Sequence, residues 1–328
     1  MKRIIIGTRA SKLAMIQTQW VAEQLHQQEP ELEIIIKRIQ TTGDAKTGVP
    51  LTQMGGDGVF VMEIEHALLQ RNIDLAVHSL KDLPTTQPGG LCVFAVGTRE
   101  DARDVLVVNS QSDLGSLLES YRPGCLRIGT CSLRRSAQIR ALFPVSEILP
   151  LRGNVDTRLH KLDAGDYDGI VLAAAGLHRL GKREQLANRM NYLSIELMMP
   201  APGQGALALE CRNEQDIQML IAPLRNTVTQ MTTSAERMFM RRLGVGCSLP
   251  VAAHGAIEGD ELILKGLAIS LDGQRQVRVQ GSIPWTSETH FKYAEQLGMQ
   301  LADQALSEGA AEIIKTLDEM QIRERQNV

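Results

Sequence analysis

The chain has 328 residues, a formal net charge of -3 and 43% hydrophobic residues, of which few are aromatic. This composition is typical of a globular protein with an aliphatic core, and at about 150 residues per domain we expect two or three domains. The near-neutral charge argues against a nucleic-acid-binding protein, and no apolar run approaches the roughly 18 residues of a membrane span. The five cysteines are irregularly spaced, which favours neither a disulfide framework nor a zinc site.

Short apolar runs alternate with helical periodicity in the N-terminal third of the chain. The predicted strands span 3–6, 33–38 and 74–77. Helices are predicted to begin at Ser11, a potential N-cap, and to cover 61–70. Because strands that alternate with helices usually pair in parallel, we expect a doubly wound sheet.

A second unit of the same kind follows a short charged connection at 99–104. Its strands and helices are predicted to alternate from 105 to 173. A cluster of proline and glycine at 199–205 precedes one more apolar strand, 207–211, which we expect to return to the first sheet. Two α/β units that are joined by two connecting segments would enclose a cleft.

The last third of the chain has a different pattern. A helix near 234–242 is followed by three strands, with turn signals at 259–260 and 272–273, and then by two helices. We therefore expect an α/β fold of two doubly wound domains around a cleft, plus a small α+β C-terminal domain. The predicted boundaries are 1–101 with 203–222 for domain 1, 105–199 for domain 2 and 227–328 for domain 3.

Arginines concentrate in the second unit. Six arginines and two acids lie within 127–158, which gives this segment a charge of +4. Arg134 and Arg135 follow a predicted helix N-cap, Ser132, where the helix dipole already favours anions, and Arg152 follows the next strand. Arginine favours bidentate binding of carboxylates and phosphates, so these residues indicate a ligand with several negative groups. A solvated basic face is the alternative.

The first unit supplies candidates at the same edge. Open α/β sheets bind ligands at the carboxyl ends of their strands, and Arg9 follows the first strand. The segment 74–84, DLAVHSLKDLP, places Lys81 and Asp82 after another strand. A carboxylate among arginines can stabilise a developing cation or transfer a proton, and a turn cap is the alternative. On a later glycine-rich loop, Cys247 is an attachment point, a nucleophile or a spare thiol.

Together these motifs resemble the porphobilinogen deaminases, also called hydroxymethylbilane synthases, over essentially the whole length. Several long matches in one order are specific, whereas any one of them alone is weak. The resemblance implies two domains that look like the halves of a periplasmic binding protein and a third that carries the cofactor. The matching segments are 7–14, 74–84, 132–135, 151–159, 202–206 and 246–250.

The resemblance implies a transferase of tetrapyrrole (haem-type) biosynthesis. Such an enzyme joins four porphobilinogen molecules head to tail into linear hydroxymethylbilane and releases ammonia each time. A dipyrromethane cofactor, held by a thioether to the cysteine that matches Cys247, primes the chain. The expected partner is the small molecule porphobilinogen, without nucleic acid, membrane or metal, and we expect a cytoplasmic monomer.

The resemblance also implies roles for individual residues. Asp82 matches the catalytic acid. Two departures concern a loop expected to lie over the cleft, where Asp57 and Met62 replace common lysines, and Cys131 replaces a common serine. Cofactor-binding positions match Cys247, Lys81, Ser79, Thr130, Ser132, Arg134, Arg135 and Asp82. Substrate-binding positions match Arg9, Ser11, Gln17, Arg152, Arg158, Arg179 and Gln204.

Two other functions are consistent with the residues alone. A two-domain anion-binding protein without catalysis would use the same arginines but would need no covalent chromophore. A transferase with Cys247 as its nucleophile would need a base, and no His partner is evident in the sequence. The first residues contain only three consecutive apolar side chains, too few for a signal peptide, which favours the cytoplasmic enzyme.

Overall fold

The computed structural model describes residues 3–41, 61–109, 126–144, 146–244, 249–286 and 291–317. These residues form two five-stranded sheets and one three-stranded sheet. The chain builds most of the first sheet, crosses to the second, returns to the first and then builds the third. The predicted fold class, two α/β units followed by a small α+β unit, is confirmed.

The first sheet contains one strand that runs against the others. Strand β1 (Arg3–Thr8) pairs in parallel with β2 (Glu33–Arg38) and β3 (Leu75–Ser79), as predicted. Strand β10 (Leu207–Arg212) lies antiparallel between β3 and β4 (Leu91–Val96), so the predicted return of the chain to this sheet is confirmed. Strand β4 was not predicted. The spatial order is β2 (Glu33–Arg38), β1 (Arg3–Thr8), β3 (Leu75–Ser79), β10 (Leu207–Arg212) and β4 (Leu91–Val96).

Three helices accompany this sheet and bury their apolar residues with it. The first begins at the predicted cap, where the Ser11 hydroxyl accepts a hydrogen bond from the Ala14 amide at 3.2 Å. Its inward face contributes Val21 and Leu25 to the same buried cluster as Ile4 of β1. The helices are α1 (Lys12–Gln28), α2 (Met62–Leu69) and α6 (Gln215–Ile221).

The second sheet has the same arrangement, with strands and helices again alternating. Strand β8 (Gly169–Ala173) pairs in parallel with β6 (Arg127–Gly129). Strand β5 (Asp104–Val108) lies antiparallel to both β8 and β9 (Met190–Tyr192). The spatial order is β7 (Glu147–Leu149), β6 (Arg127–Gly129), β8 (Gly169–Ala173), β5 (Asp104–Val108) and β9 (Met190–Tyr192). Its helices are α3 (Leu133–Leu142), α4 (Val155–Asp163) and α5 (Ala174–Arg179).

The third sheet is an antiparallel meander packed against helices. Glu258 pairs with Glu261, which leaves 259–260 as the predicted two-residue turn. No helix in the described ranges is long and apolar enough to cross a membrane. The elements are α7 (Thr227–Arg242), β11 (Val251–Glu258), β12 (Glu261–Ile269), β13 (Gln276–Pro284), α8 (Phe291–Ala305), a π turn at Leu306–Ala310 and a helix over 311–317.

Two crossing segments join the α/β sheets: 97–103 leads from β4 to β5, and 193–206 leads from β9 to β10. They hydrogen-bond to each other, because the Glu100 amide donates to the Gly205 carbonyl at 3.1 Å. The Arg99 side chain adds a second link by donating from Nε to the Gln204 carbonyl at 2.9 Å.

The third unit is fastened to both crossing segments by Glu236 of α7, whose side chain is fully buried. Its carboxylate accepts hydrogen bonds from Arg99 Nη1 at 2.6 Å and from the Gly203 amide at 2.6 Å. It also accepts the Gly255 amide of β11 at 2.7 Å. One buried carboxylate therefore connects all three sheets.

Gly205 lies at the closest approach of the crossing segments. Its φ is +91°, and a Cβ there would lie 2.3 Å from the Glu100 carbonyl oxygen. We expect Gly205→Ala to lower the free energy of unfolding by about 3 kcal/mol, because a left-handed backbone costs about 1–2 kcal/mol and steric overlap about 1–3 kcal/mol. Urea denaturation measures this loss.

The matched control is Gly165→Ala. Gly165 has φ of +84°, but nothing lies within 4 Å of a Cβ built there. In this variant the free energy of unfolding should fall only by the cost of the left-handed backbone, about 1–2 kcal/mol. Equal losses in the two variants would contradict a steric role for the contact with Glu100.

Candidate active site

Most of the predicted site residues lie directly after strands of the two α/β sheets. In the first sheet, β3 ends at Ser79 and leads into a 3-10 turn that carries Lys81 and Asp82. In the second sheet, β6 leads into α3, whose N-cap Ser132 accepts the Arg135 amide at 3.4 Å. These strand ends are the positions at which open α/β sheets bind ligands.

A buried ion triad lies at the start of α3. Arg134 donates from Nη1 to Asp104 Oδ2 at 2.8 Å, and Arg135 donates from Nη2 to Asp104 Oδ1 at 2.7 Å. The two arginine side chains are only 6% and 8% exposed, and that of Asp104 is fully buried. The alternative of a solvated basic face is therefore wrong for both arginines. Their immediate anionic partner belongs to the chain itself.

Main-chain carbonyls hold the same guanidinium groups from other sides. Arg134 donates to the Met199 carbonyl at 2.7 Å, and Arg135 donates to the Val171 carbonyl at 2.9 Å. Burial alone would raise the pKa of Asp104, but the two arginines overcome this effect and hold that pKa well below its usual range. Because one carboxylate faces two cations, the triad keeps a net positive charge.

Gln204 connects the triad to the turn after β3. Its Nε2 donates to Asp104 Oδ1 at 3.0 Å and to the Ala102 carbonyl at 2.7 Å, and its Oε1 accepts from Lys81 Nζ at 3.1 Å. Gln204 is fully buried. Lys81, Gln204, Asp104, Arg134 and Arg135 thus form one continuous set of polar contacts, which we call the Asp104 network.

Lys81 is the end of this network that retains partial exposure. Burial lowers the pKa of Lys81 to about 8, and the positive charge of Arg135 acts in the same direction. Asp82 and Asp104 act in the opposite direction but do not compensate fully. A bound anion would stabilise this ammonium group, so the network has the charge and the donors to hold ligand carboxylates.

Asp82 is exposed and lies within electrostatic range of both Lys81 and Arg158. Burial lowers the pKa of Arg158, as do the charges of Arg135 and Arg152. Arg158 of α4 donates from Nε to the Gly153 carbonyl, just before this helix, at 2.8 Å, which orients the guanidinium group. An accessible carboxylate from the first sheet therefore lies near Arg158 from the second.

Other predicted residues already make hydrogen bonds within the chain beside this network. Gln17 Nε2 donates to Ser79 Oγ at 3.0 Å and so connects α1 to the end of β3. Ser11 caps α1, and Thr130 Oγ1 accepts the Ser132 amide at 3.1 Å. The Ser11 and Thr130 hydroxyls accept these hydrogen bonds and keep their own protons to donate to an anion, whereas Ser79 Oγ also donates to Gln17 Oε1 at 3.5 Å.

The remaining predicted arginines differ in position. Arg179 donates from Nη2 to the Gly205 carbonyl at 2.7 Å and so contacts a crossing segment. Burial lowers the pKa of Arg179 to about 10. Arg9 and Arg152 are half-buried, and each interacts with other groups of the chain.

Some of the predicted features cannot be located. Cys247 and Asp57 lie outside the described residues. Met62 is the first residue of α2 and is 51% exposed, so no lysine is present there to contact a ligand. In the part of the chain that the structure describes, no group of three or more His, Cys, Asp or Glu side chains is arranged to hold a metal ion.

Asp104 and Glu236 are not among the residues predicted from the sequence. Asp104 could have been found from the sequence, because it is the first residue of the otherwise apolar strand DVLVV. A carboxylate that is buried with such a strand needs a cation. Glu236 carries no comparable signal, since its partners come from two distant crossing segments and β11.

We expect Asp104→Asn to lower the free energy of unfolding by about 3–5 kcal/mol at neutral pH, because it leaves two buried guanidinium groups without a counter-charge. The pKa of Asp104 is depressed in the folded state, so its contribution is present above the unfolded pKa of about 3.9 and is lost as pH falls below it. The difference between variant and parent should therefore shrink in acid. Denaturant unfolding of the variant and the parent at a series of pH values measures this difference in the free energy of unfolding.

Asp303→Asn is the matched control for this prediction. Asp303 also accepts an arginine hydrogen bond at 2.7 Å, from Arg242, but both side chains of that pair are about half exposed. Exposed ion pairs contribute about 0–1 kcal/mol, so the control should be nearly as stable as the parent. A loss at Asp104 no larger than that at Asp303 would contradict the role of the buried triad.

Two family models match the chain, one over each of two long segments. The model for "Porphobilinogen deaminase, dipyromethane cofactor binding domain" matches residues 4–219, and that for "Porphobilinogen deaminase, C-terminal domain" matches residues 230–307. Among solved structures, the chain is similar to the periplasmic aliphatic sulphonate binding protein SsuA from Escherichia coli, with a TM-score of 0.39 and 14% identity over 74% of this chain and 70% of that one. That similarity is too low to support a conclusion.

Curated relatives match over nearly the full length. The porphobilinogen deaminase of Syntrophotalea carbinolica is 45% identical over 95% of this chain and 95% of its own. The porphobilinogen deaminase of Pelobacter propionicus is 42% identical over 98% and 99% of the two chains, and that of Geobacter metallireducens is 41% identical over 100% and 98%. With two family models and relatives this similar over nearly their whole length, the chain belongs to the porphobilinogen deaminase family.

Proposed function

We propose that this protein joins four porphobilinogen molecules head to tail into the linear tetrapyrrole hydroxymethylbilane and releases one ammonia per addition. The family membership supports this reaction, and it does not favour an anion-binding protein without catalysis. The observation that carries the residue assignment is the exposed Asp82 carboxylate close to Lys81, Arg158 and the Asp104 network.

The first task of the site is to bind a polyanion, because each pyrrole ring carries an acetate and a propionate. Asp104 and main-chain carbonyls fix Arg134 and Arg135, so their positive field is preorganised before the ligand arrives. Gln204 is fully buried and acts by orienting Lys81. The proposed substrate-binding set is Arg9, Ser11, Gln17, Arg152, Arg158, Arg179 and Gln204.

Asp82 is the proposed catalytic residue. When the protonated amine leaves porphobilinogen as ammonia, the methylene carbon and the pyrrole ring share a positive charge. A carboxylate beside that ring stabilises the developing cation and can accept the proton that the next carbon–carbon bond displaces. The exposed position of Asp82 leaves its oxygens accessible to a substrate.

Dipyrromethane, when bound, supplies the pyrrole to which the first substrate is added. The first family model is that of a dipyrromethane-binding domain, and the donors of this chain suit a carboxylate-bearing group. We propose that Lys81, Arg135 and Arg134 attract its carboxylates and that the Ser79, Thr130 and Ser132 hydroxyls donate hydrogen bonds to them. Cys247 is proposed to hold it by a thioether.

We also propose that the enzyme acts as a cytoplasmic monomer and binds no nucleic acid. The net charge of -3 is unsuited to nucleic acid. The three free cysteines among the described residues, Cys92, Cys131 and Cys211, support a reducing compartment. The proposed domains are 1–101 with 203–222, 105–199 and 227–328.

We expect Asp82→Asn to lower kcat by about 10²–10⁴-fold, because the amide neither carries the charge nor accepts the proton. Folding should be unchanged, since the side chain is exposed. Steady-state assays of hydroxymethylbilane formation measure kcat. Asp260→Asn, in the exposed turn between β11 and β12, is the control and should retain full activity. Near-normal turnover of Asp82→Asn would refute its catalytic role.

We expect Cys247→Ser to yield protein without stably bound dipyrromethane, because the hydroxyl cannot form the thioether. The intact mass of the parent should exceed the calculated mass by one dipyrromethane, and peptide mapping should place the excess on Cys247. Cys131→Ser, which restores the residue common in the family, is the control and should keep the cofactor. If the parent is unmodified and gains no adduct on incubation with porphobilinogen, the attachment is disproved.

A further inference from the structure

Two thiols face each other on neighbouring strands of the first sheet. Cys92 on β4 lies directly opposite Cys211 on β10 in the antiparallel register, and their Sγ atoms are 3.6 Å apart. Cys211 is also paired with Leu75 at the start of β3, whereas Ser79 at the end of β3 leads to the proposed active site. The thiol pair therefore lies at the opposite edge of the sheet from the site.

The surroundings of the two sulfur atoms are unequal. Cys92 is partly exposed, whereas Cys211 is fully buried. Gln218 Nε2 donates towards Cys92 Sγ at 3.8 Å. The Arg225 guanidinium, which stacks 3.6 Å from the centre of the Phe94 ring, adds a positive charge near the pair. This donor and this cation favour the thiolate form of Cys92. The negative charge of Glu210 favours the thiol, as do the Cys211 and Arg212 carbonyls, to which the Cys92 thiol can donate at 3.6 and 3.7 Å.

The hydrogen bond between the thiols separates their acidities. It lowers the pKa of Cys92, and the charge of Arg225 acts in the same direction against burial. The same hydrogen bond raises the pKa of Cys211, to which burial also contributes. Cys92 is the partly exposed member of the pair, so a soluble oxidant reaches it first, and the buried Cys211 sulfur lies 3.6 Å from it.

We propose that Cys92 and Cys211 form a redox-active dithiol that hydrogen peroxide converts into a reversible cross-strand disulfide. The Cys92 thiolate attacks one peroxide oxygen, the O–O bond breaks, and a sulfenic acid and hydroxide result. As the Cys211 sulfur attacks the Cys92 sulfur, the S–S bond forms, the S–O bond breaks and the Cys211 thiol proton passes to the leaving hydroxide. The released hydroxide and the thiol proton form water, and overall two thiols are oxidised while one peroxide is reduced to two waters.

The strand geometry allows this bond. Residues directly opposite each other in an antiparallel pair have Cα atoms about 4.5–5.5 Å apart, which lies within the roughly 4.4–6.8 Å that disulfides span. The bond would join β4, which precedes the first crossing segment, to β10, which follows the second. It would therefore close the first sheet covalently across the entire second α/β unit, and small-molecule thiols would reopen it.

Peptide mapping of the full-length, cofactor-bearing enzyme tests this directly. Reduced protein is treated with hydrogen peroxide, denatured, alkylated with iodoacetamide and digested with trypsin without reductant. Cys92 is the only cysteine of the tryptic peptide 82–99, and Cys211 is the only cysteine of the peptide 190–212. We expect both alkylated peptides to be lost together and a linked peptide to appear, lighter by two hydrogen atoms than the sum of the two unalkylated peptides. Dithiothreitol should restore both.

Two variants assign the chemistry. Cys92→Ser should abolish the linked peptide and leave Cys211 fully alkylatable, whereas Cys131→Ser should form the linked peptide as the parent does. The mapping of the parent needs no variant to fold. Recovery of both alkylated peptides after peroxide would overturn the proposal, as would conversion of Cys92 to sulfinic acid while Cys211 remains a thiol.

Discussion

One buried carboxylate, Asp104, determines the geometry of the cationic side of the site. Two adjacent arginines in the first turn of a helix repel each other and oppose the helix dipole, so they need a fixed anion. Asp104 provides it from the first residue of β5, and Gln204 extends the contact to Lys81. Because Asp104 follows one crossing segment and Gln204 belongs to the other, the passage of the chain between the sheets also assembles the Asp104 network, which we propose binds the ligand.

Glu236 has the corresponding role for the third unit. It binds Arg99 and Gly203 of the two crossing segments and Gly255 of β11. Helix α7, which carries Glu236, ends at Arg242, and the sequence reaches Cys247 shortly afterwards. A helix held in this way provides a rigid base for the loop that we propose to carry the cofactor. Two buried acids, each satisfied by arginine and amide donors, thus connect the three sheets and the site.

The distribution of charge suits a reaction that binds a polyanion while forming a cation. The positive groups of the Asp104 network are mostly buried and fixed, and they remain in excess because Arg134 and Arg135 share one carboxylate. Asp82, by contrast, is exposed at the end of a short turn. Fixed cations can hold the carboxylates of a growing chain, and an accessible anion remains for the positive charge that develops when ammonia leaves.

The sequence by itself determined the features that depend on neighbouring residues: the Ser11 and Ser132 caps, the periodic helices, the return of the strand at 207–211 and the family motifs. A cap acts over three residues, so its signal is local. Only the tertiary structure placed β4 beside β10. It also brought Asp104 into contact with Arg134, which is 30 residues away in sequence, and with Gln204, which is 100 residues away. Such pairings are decided by packing and by the cost of burying a charge without a partner, which no local pattern contains.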